Sequence, residues 1–98
     1  MRIIYTKITN IEEFQVGDLL SWKNGSEPGK KLDKEIWLLL SIKEIINYKG
    51  KSNGRTLSLI TIYNDRVNYY PSLWISPDRF TSSAYYPKIY KLSYSDEG

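Results

Sequence analysis

The chain has no cysteine and no histidine. The first absence removes disulfides, thiolate nucleophiles and cysteine ligands to metal, so a cross-linked secreted scaffold is excluded. The second removes the commonest general base at neutral pH. Together they exclude the usual zinc sites and both Ser-His and Cys-His nucleophile systems. An enzyme of this composition would have to work with Asp, Glu, Lys, Arg, Tyr or Ser. Long apolar runs are missing as well. None approaches the roughly 18 residues of a membrane-spanning helix, and MRIIYTKITNIEEF lacks the apolar stretch and cleavage site of a signal peptide. The expectation is a cytoplasmic protein with no cofactor, no metal and no membrane partner.

What is present favours β-structure. The 98 residues suffice for one domain, since a chain of this length buries about two thirds of its unfolded surface and has no material for a second core. A single domain is therefore expected over 1–98, with Ser95-Asp96-Glu97-Gly98 as a short flexible tail. Aromatic residues make up 14% of the chain, with 9 Tyr and 3 Trp, and such side chains suit the pleated, half-buried surface of a sheet. The net charge is +3, far less than a dedicated nucleic-acid binder carries. It is unevenly spread: Lys43, Lys49, Lys51 and Arg55 face only Glu44 in the same stretch.

Along the chain, Arg2 to Ile8 reads as a strand, and Thr9 or Asn10 is placed to cap one helical turn carrying Glu12 and Glu13 at its positive end. Gly17-Asp18 is a turn opening a strand through Trp22, and KNGSEPGKKLDK (Lys23 to Lys34) has the composition of a loop. EIWLLLSIKEIINY admits two readings. A helix could be capped by Asp33 and ended by Gly50. With period two, Ile36, Leu38, Leu40, Ile42, Ile46 and Tyr48 share one face and Trp37 lies on the less apolar one, which favours a long strand. Asn53-Gly54 then suits a hairpin turn into TLSLITIY. Asn64-Asp65 turns into RVNYYPSLWI, where Pro71 marks an edge, a bulge or a bend. SPDRF has the signature of a helix start, and KIYKLSY that of a last half-buried strand.

Two YYP stretches occur, at Tyr69-Tyr70-Pro71 and Tyr85-Tyr86-Pro87. Adjacent residues of a strand point to opposite faces, so one tyrosine of each pair is expected in the core and the other outside. The expected fold class is all-β: a small SH3-like barrel of five or six antiparallel strands with one or two single-turn helices, closed or nearly so.

VGDLLSWKNG, IWLLLSI and LSLITIYNDRVNYYPSLWI together resemble the small SH3-like barrel proteins encoded by bacteriophages, over Val16 to Ile75. The resemblance implies a fold rather than an activity, and a location in the host-cell cytoplasm if the protein is viral. A second similarity, to plasmid-maintenance toxin ribonucleases of the same barrel class, rests on the order GDLLSW, GSEPGKK, WLLLSI. The Arg-Pro pair by which those toxins handle the scissile phosphate is missing; Lys30-Lys31-Leu32-Asp33 stands in its place.

Three functions follow as expectations. A non-enzymatic module would bind a protein through Trp37, Arg66, Tyr69, Tyr70 and Trp74, since Trp, Tyr and Arg are enriched at binding hot spots and Trp37 is the tryptophan expected outside. A nucleic-acid binder would use Lys49, Lys51 and Arg55 for phosphate contact, with Tyr48 stacking on a base. A toxin-like ribonuclease would rely on Lys30, Lys31 and Arg55. GKSNGR has the wrong glycine spacing for a nucleotide phosphate loop. Asp18, Asp65 and Asp78 read as turn residues bonding their own backbone.

Overall fold

A computed structural model describes residues 2–22, 36–63, 65–81 and 87–96. Strands β1 (Arg2–Lys7), β2 (Leu19–Trp22), β3 (Trp37–Ile46), β4 (Ser52–Tyr63), β5 (Arg66–Ile75) and β6 (Ile89–Ser95) form one antiparallel sheet in the order β1-β6-β2-β3-β4-β5. The all-β expectation holds, and EIWLLLSIKEIINY is a strand. The sheet is open, with β1 and β5 at its edges, where a closed or nearly closed barrel is expected. Ser95, assigned above to the tail, is the last residue of β6 and pairs with Arg2. Among the described residues no helix is long and apolar enough to cross a membrane.

The core lies against one face of the sheet. Leu20 and Trp22 of β2, Trp37 and Leu39 of β3, Leu57 and Leu59 of β4, Leu73 and Ile75 of β5, and Ile89 of β6 are buried together with Ile8 and Phe14. The segment after β1 closes part of this face. Asn10 accepts a hydrogen bond from the Glu12 amide at 2.9 Å and caps a single 3-10 turn, Ile11–Glu13. Thr9, the residue before the cap, donates to the Glu13 carboxylate through both its amide and its hydroxyl, which ties the end of the turn back to its entry. Phe14 then meets Phe80 from the segment after β5, with ring centroids 6.2 Å apart. That segment, 76–81, is a run of turns and not the short helix its Ser-Pro-Asp start suggests. The Ser76 hydroxyl bonds the Asp78 carboxylate, and the buried Arg79 donates to the Pro87 carbonyl at 3.0 Å.

Three β-bulges determine which residues face the core. In β3, Leu40 is unpaired between Leu39 and Ser41, so the core-facing residues change from Trp37 and Leu39 to Ile42. The period-two expectation, which put Ile36, Leu38 and Leu40 inside and Trp37 outside, is therefore reversed over the first half of the strand. Trp37 is 3% exposed. In β4, Asn53 and Gly54 lie opposite Ile45 alone, with Gly54 at a φ of +93°. The pair forms a bulge inside the strand. The hairpin turn is Asn47 to Gly50, whose ends are tied by the Asn47 side chain accepting from the Lys49 and Lys51 amides. In β5, Pro71 and Ser72 lie opposite Ser58, whose hydroxyl donates to the Pro71 carbonyl at 2.7 Å. Pro71 thus occupies a bulge on an edge strand, where its missing N–H disturbs no ladder.

Candidate functional site: the outer face of the sheet

Of the carboxylates expected to be turn residues bonding backbone, Asp18 does so, and Asp65 and Asp78 both lie in turns. Asp18 accepts from the Gln15 amide at 2.8 Å and from Lys91 Nζ at 3.1 Å, and Lys91 also donates to the Glu13 carbonyl at 2.8 Å. Both side chains are engaged in tying β6 to the loop before β2. Asp65 takes a φ of 61° in the β4–β5 connection, as a tight hairpin turn requires.

The residues expected to bind a protein separate into groups. Trp37 is in the core and leaves the candidate surface. Tyr70 pairs with Leu59 and packs against the core. Arg66 is exposed, but it alternates to the side of β5 opposite Val67 and Tyr69. Tyr69 and Trp74, 59% and 52% exposed, face outward together. They pair with Ile60 and Thr56 of β4, which places them about 13 Å apart at ~3.3 Å per residue. The Trp74 indole donates to the Asn53 carbonyl at 2.9 Å, so its orientation is held by the glycine bulge. The first YYP thus has Tyr69 outside and Tyr70 inside; Tyr85 and Tyr86 lie outside the described residues.

The basic group is also divided. Lys49 and Lys51 are exposed at the β3–β4 tip, beside a Tyr48 that is 93% exposed and whose ring centre lies 5.6 Å from Lys49 Nζ. Arg55 is half-buried and donates from Nη1 to the Ile11 carbonyl at 3.4 Å, so it joins β4 to the 3-10 turn and is withdrawn from the tip. Lys30 and Lys31 lie outside the described residues.

An apolar feature of the surface comes from residues that sequence reasoning placed inside or passed over. Reading across the sheet by register, Tyr5 pairs with Leu92, Leu92 with Leu19, Leu19 with Leu38, Leu38 with Ile60 and Ile60 with Tyr69. These residues share the face opposite the main core cluster across all six strands; Leu92 among them is buried, Leu19 and Ile60 are half-buried, and Tyr5, Leu38 and Tyr69 are exposed. On this face, Leu19, Ile36, Leu38, Ile60, Ile62 and Val67 line an open groove of about 350 Å³ together with Thr61. Ile62 and Val67 form its most prominent wall, at 74% and 64% exposed. Among the described strand residues, charge enters this face near its ends, at Lys7, the register partner of Tyr90, and Lys43, that of Thr56. A signal for it was present in the sequence: WLLLSI and LSLITIY are apolar at both odd and even positions, which in a strand means two apolar faces and only one core to cover them.

Physically, the arrangement offers an apolar, largely uncharged surface with aromatic side chains at Tyr5 and Tyr69 and a shaped depression beside them. Such a surface suits desolvation against another apolar surface; it brings no acid and base together across a cleft. Comparison with protein-family models, with curated proteins and with solved structures finds no match to this chain.

Proposed function

We propose that the protein is a non-enzymatic binding module that acts by protein-protein interaction through the outer face of its sheet. The observation that carries this reading is the exposed apolar cluster of Leu38, Ile62, Val67 and Tyr69 around the groove, outside a core that is already buried on the other face of the sheet. Monomeric proteins seldom leave so continuous an apolar surface to water, and protein interfaces are where it is usually spent. Tyr69 and Trp74 supply aromatic anchors, and the Ile62–Val67 wall supplies the shape that a partner would match. The consecutive pairing of β2, β3, β4 and β5, with β6 returning beside β2, supports placing the module among SH3-like barrels, with β1 as an added edge strand.

The test is affinity capture from a lysate of the native host, comparing the wild type with Tyr69→Ala, Ile62→Asp and Lys49→Ala. The first two should lose the captured protein while melting like the wild type, and Lys49→Ala should retain it. Capture that survives both outer-face variants would rule the surface out.

A second reading, nucleic-acid binding, is favoured by the tip alone: Tyr48 is almost fully exposed next to Lys49 and Lys51. It now rests on two cations, since Arg55 is occupied elsewhere.

A further inference from the structure

The apolar face has a property that bears on the identity of its occupant. It carries a groove with one prominent wall: Ile62 and Val67, the most exposed of the lining side chains, form the wall at the β4–β5 end and act as its ridge, and Ile36, Leu38 and Leu19 line the rest. A two-fold interface requires one patch to contain both members of each contact, because residue i of one copy meets residue j of the other and the reverse holds at once. A ridge adjoining a groove meets that requirement.

Charge points the same way. Each chain carries +3, so two copies meeting through charged surfaces would repel. Along the row from Tyr5 to Tyr69 there is no charged side chain, and the two lysines of this face sit near its ends, where solvent screens them. Self-association therefore brings no like charges together at the centre. The available area is also of the right size. The most exposed large side chains of this face lie toward its two edges, Ile3, Tyr5 and Tyr94 on β1 and β6 and Ile62, Val67 and Tyr69 on β4 and β5, at about half exposure on average, while Leu92 between them is buried. With large side chains offering ~150–250 Å² each, these six present roughly 500–850 Å², which approaches the ~800 Å² that each partner contributes to a stable complex. Sheets that pack face to face do so with strand directions within about 30° of each other at about 10 Å, a geometry open to two copies of this antiparallel sheet.

From these observations we infer that the occupant of the outer face is a second copy of this chain, packed sheet to sheet as a two-fold dimer with the Ile62–Val67 ridge of each copy in the groove of the other. This inference rests on the reading of the outer face as a binding surface and names its partner.

Sedimentation equilibrium of the purified full chain, from micromolar to millimolar concentration, tests it. The expected result is a dimer of twice the 11.5 kDa chain mass. Ile62→Asp and Val67→Asp should each raise its dissociation constant at least roughly ten-fold, as loss of a central contact does. Both positions are exposed in the single chain, so the circular dichroism spectrum and the cooperativity of melting should match those of wild type. Tyr48→Ala, at the remote tip, should leave the dimer unchanged. A wild-type chain that stays monomeric throughout, or a dimer that neither aspartate variant weakens, overturns the inference. The first of these, accompanied by capture of a different protein that Ile62→Asp loses, would leave the binding reading standing and the dimer refuted.

Discussion

Replacing Gly54 with alanine should be far more damaging than the same change at Gly50, although both glycines flank one hairpin and both have positive φ. Gly50, at +77°, has nothing within 4 Å of the position a Cβ would take. Its substitution therefore costs only the left-handed backbone penalty, about 1–2 kcal/mol for a residue with a Cβ. Gly54, at +93°, carries the same penalty and a steric one. A Cβ there would lie 2.2 Å from the Ile75 carbonyl oxygen and 3.0 Å from Trp74 Nε1. Because the first contact is with backbone, β4 and β5 must part locally, which overpacking data put at a further ~1–3 kcal/mol. The displaced indole also loses its bond to the Asn53 carbonyl, about another 1 kcal/mol. The expected difference between the variants is thus roughly 2–4 kcal/mol, a large part of the ~5–15 kcal/mol that holds a typical domain folded.

Urea titration of both variants, followed by tryptophan fluorescence and by circular dichroism, measures this difference. In thermal melts it corresponds to a gap of at least ~8 °C for a domain of this size. Trp74 emission should also shift in Gly54→Ala and remain unchanged in Gly50→Ala. If the two variants unfold within 0.5 kcal/mol of each other on the scale of ordinary surface substitutions, the bulge is not packed against Ile75 and this account of how Trp74 is held fails.

Two other outcomes follow from the placement of the strands. Leu39→Ala should cost about 2–5 kcal/mol by emptying a fully buried site, whereas Ile62→Ala should cost under ~1 kcal/mol, and denaturant midpoints compare them directly; equal losses would mean the two faces of the sheet have been assigned the wrong way round. If the β3–β4 tip binds nucleic acid, single-stranded oligonucleotide affinity should fall steeply with salt and should drop on Lys49→Ala and Lys51→Ala, but not on Ile62→Asp; titrations by fluorescence anisotropy in two salt concentrations decide it, and a flat salt response removes this reading.

Most of the elements were legible in the sequence, the turn of helix expected at Ser76-Pro77 and the hairpin turn expected at Asn53-Gly54 excepted. Turn chemistry at Gly17-Asp18 and at Asp65, the Asn10 cap, and alternation in KIYKLSY all correspond to what the structure has at those places. So does Pro71, whose lack of an N–H could have meant an edge or a bulge and turns out to mean both. The direction of the side chains was much less legible. Period-two counting over Ile36 to Tyr48 assumes an uninterrupted pleat, and the bulge at Leu40 breaks it midway, so the better-looking face in the count belongs half to the core and half to solvent. Three leucines in succession carry no mark of where the extra residue lies. Arg55 was misplaced for a similar reason: nearness in sequence to Lys49 and Lys51 suggested a common surface, but the bulge at Gly54 and the 3-10 turn carry its guanidinium to Ile11.

The sequence alone therefore determined the class of the structure and the limits of its chemistry. Without cysteine and histidine many catalytic and metal sites are excluded, and the aromatic and β-branched residues, with their spacing between turns, specify strands, because those are local properties of side chains and backbone. Only the tertiary structure decided which face of each strand meets the core. It put Trp37 inside and left Leu38, Ile62, Val67 and Tyr69 outside, because one inserted residue in a strand reverses every side chain beyond it and nothing local records that choice. The apolar row crosses all six strands and exists only through their register, a long-range property that appears when distant segments pair.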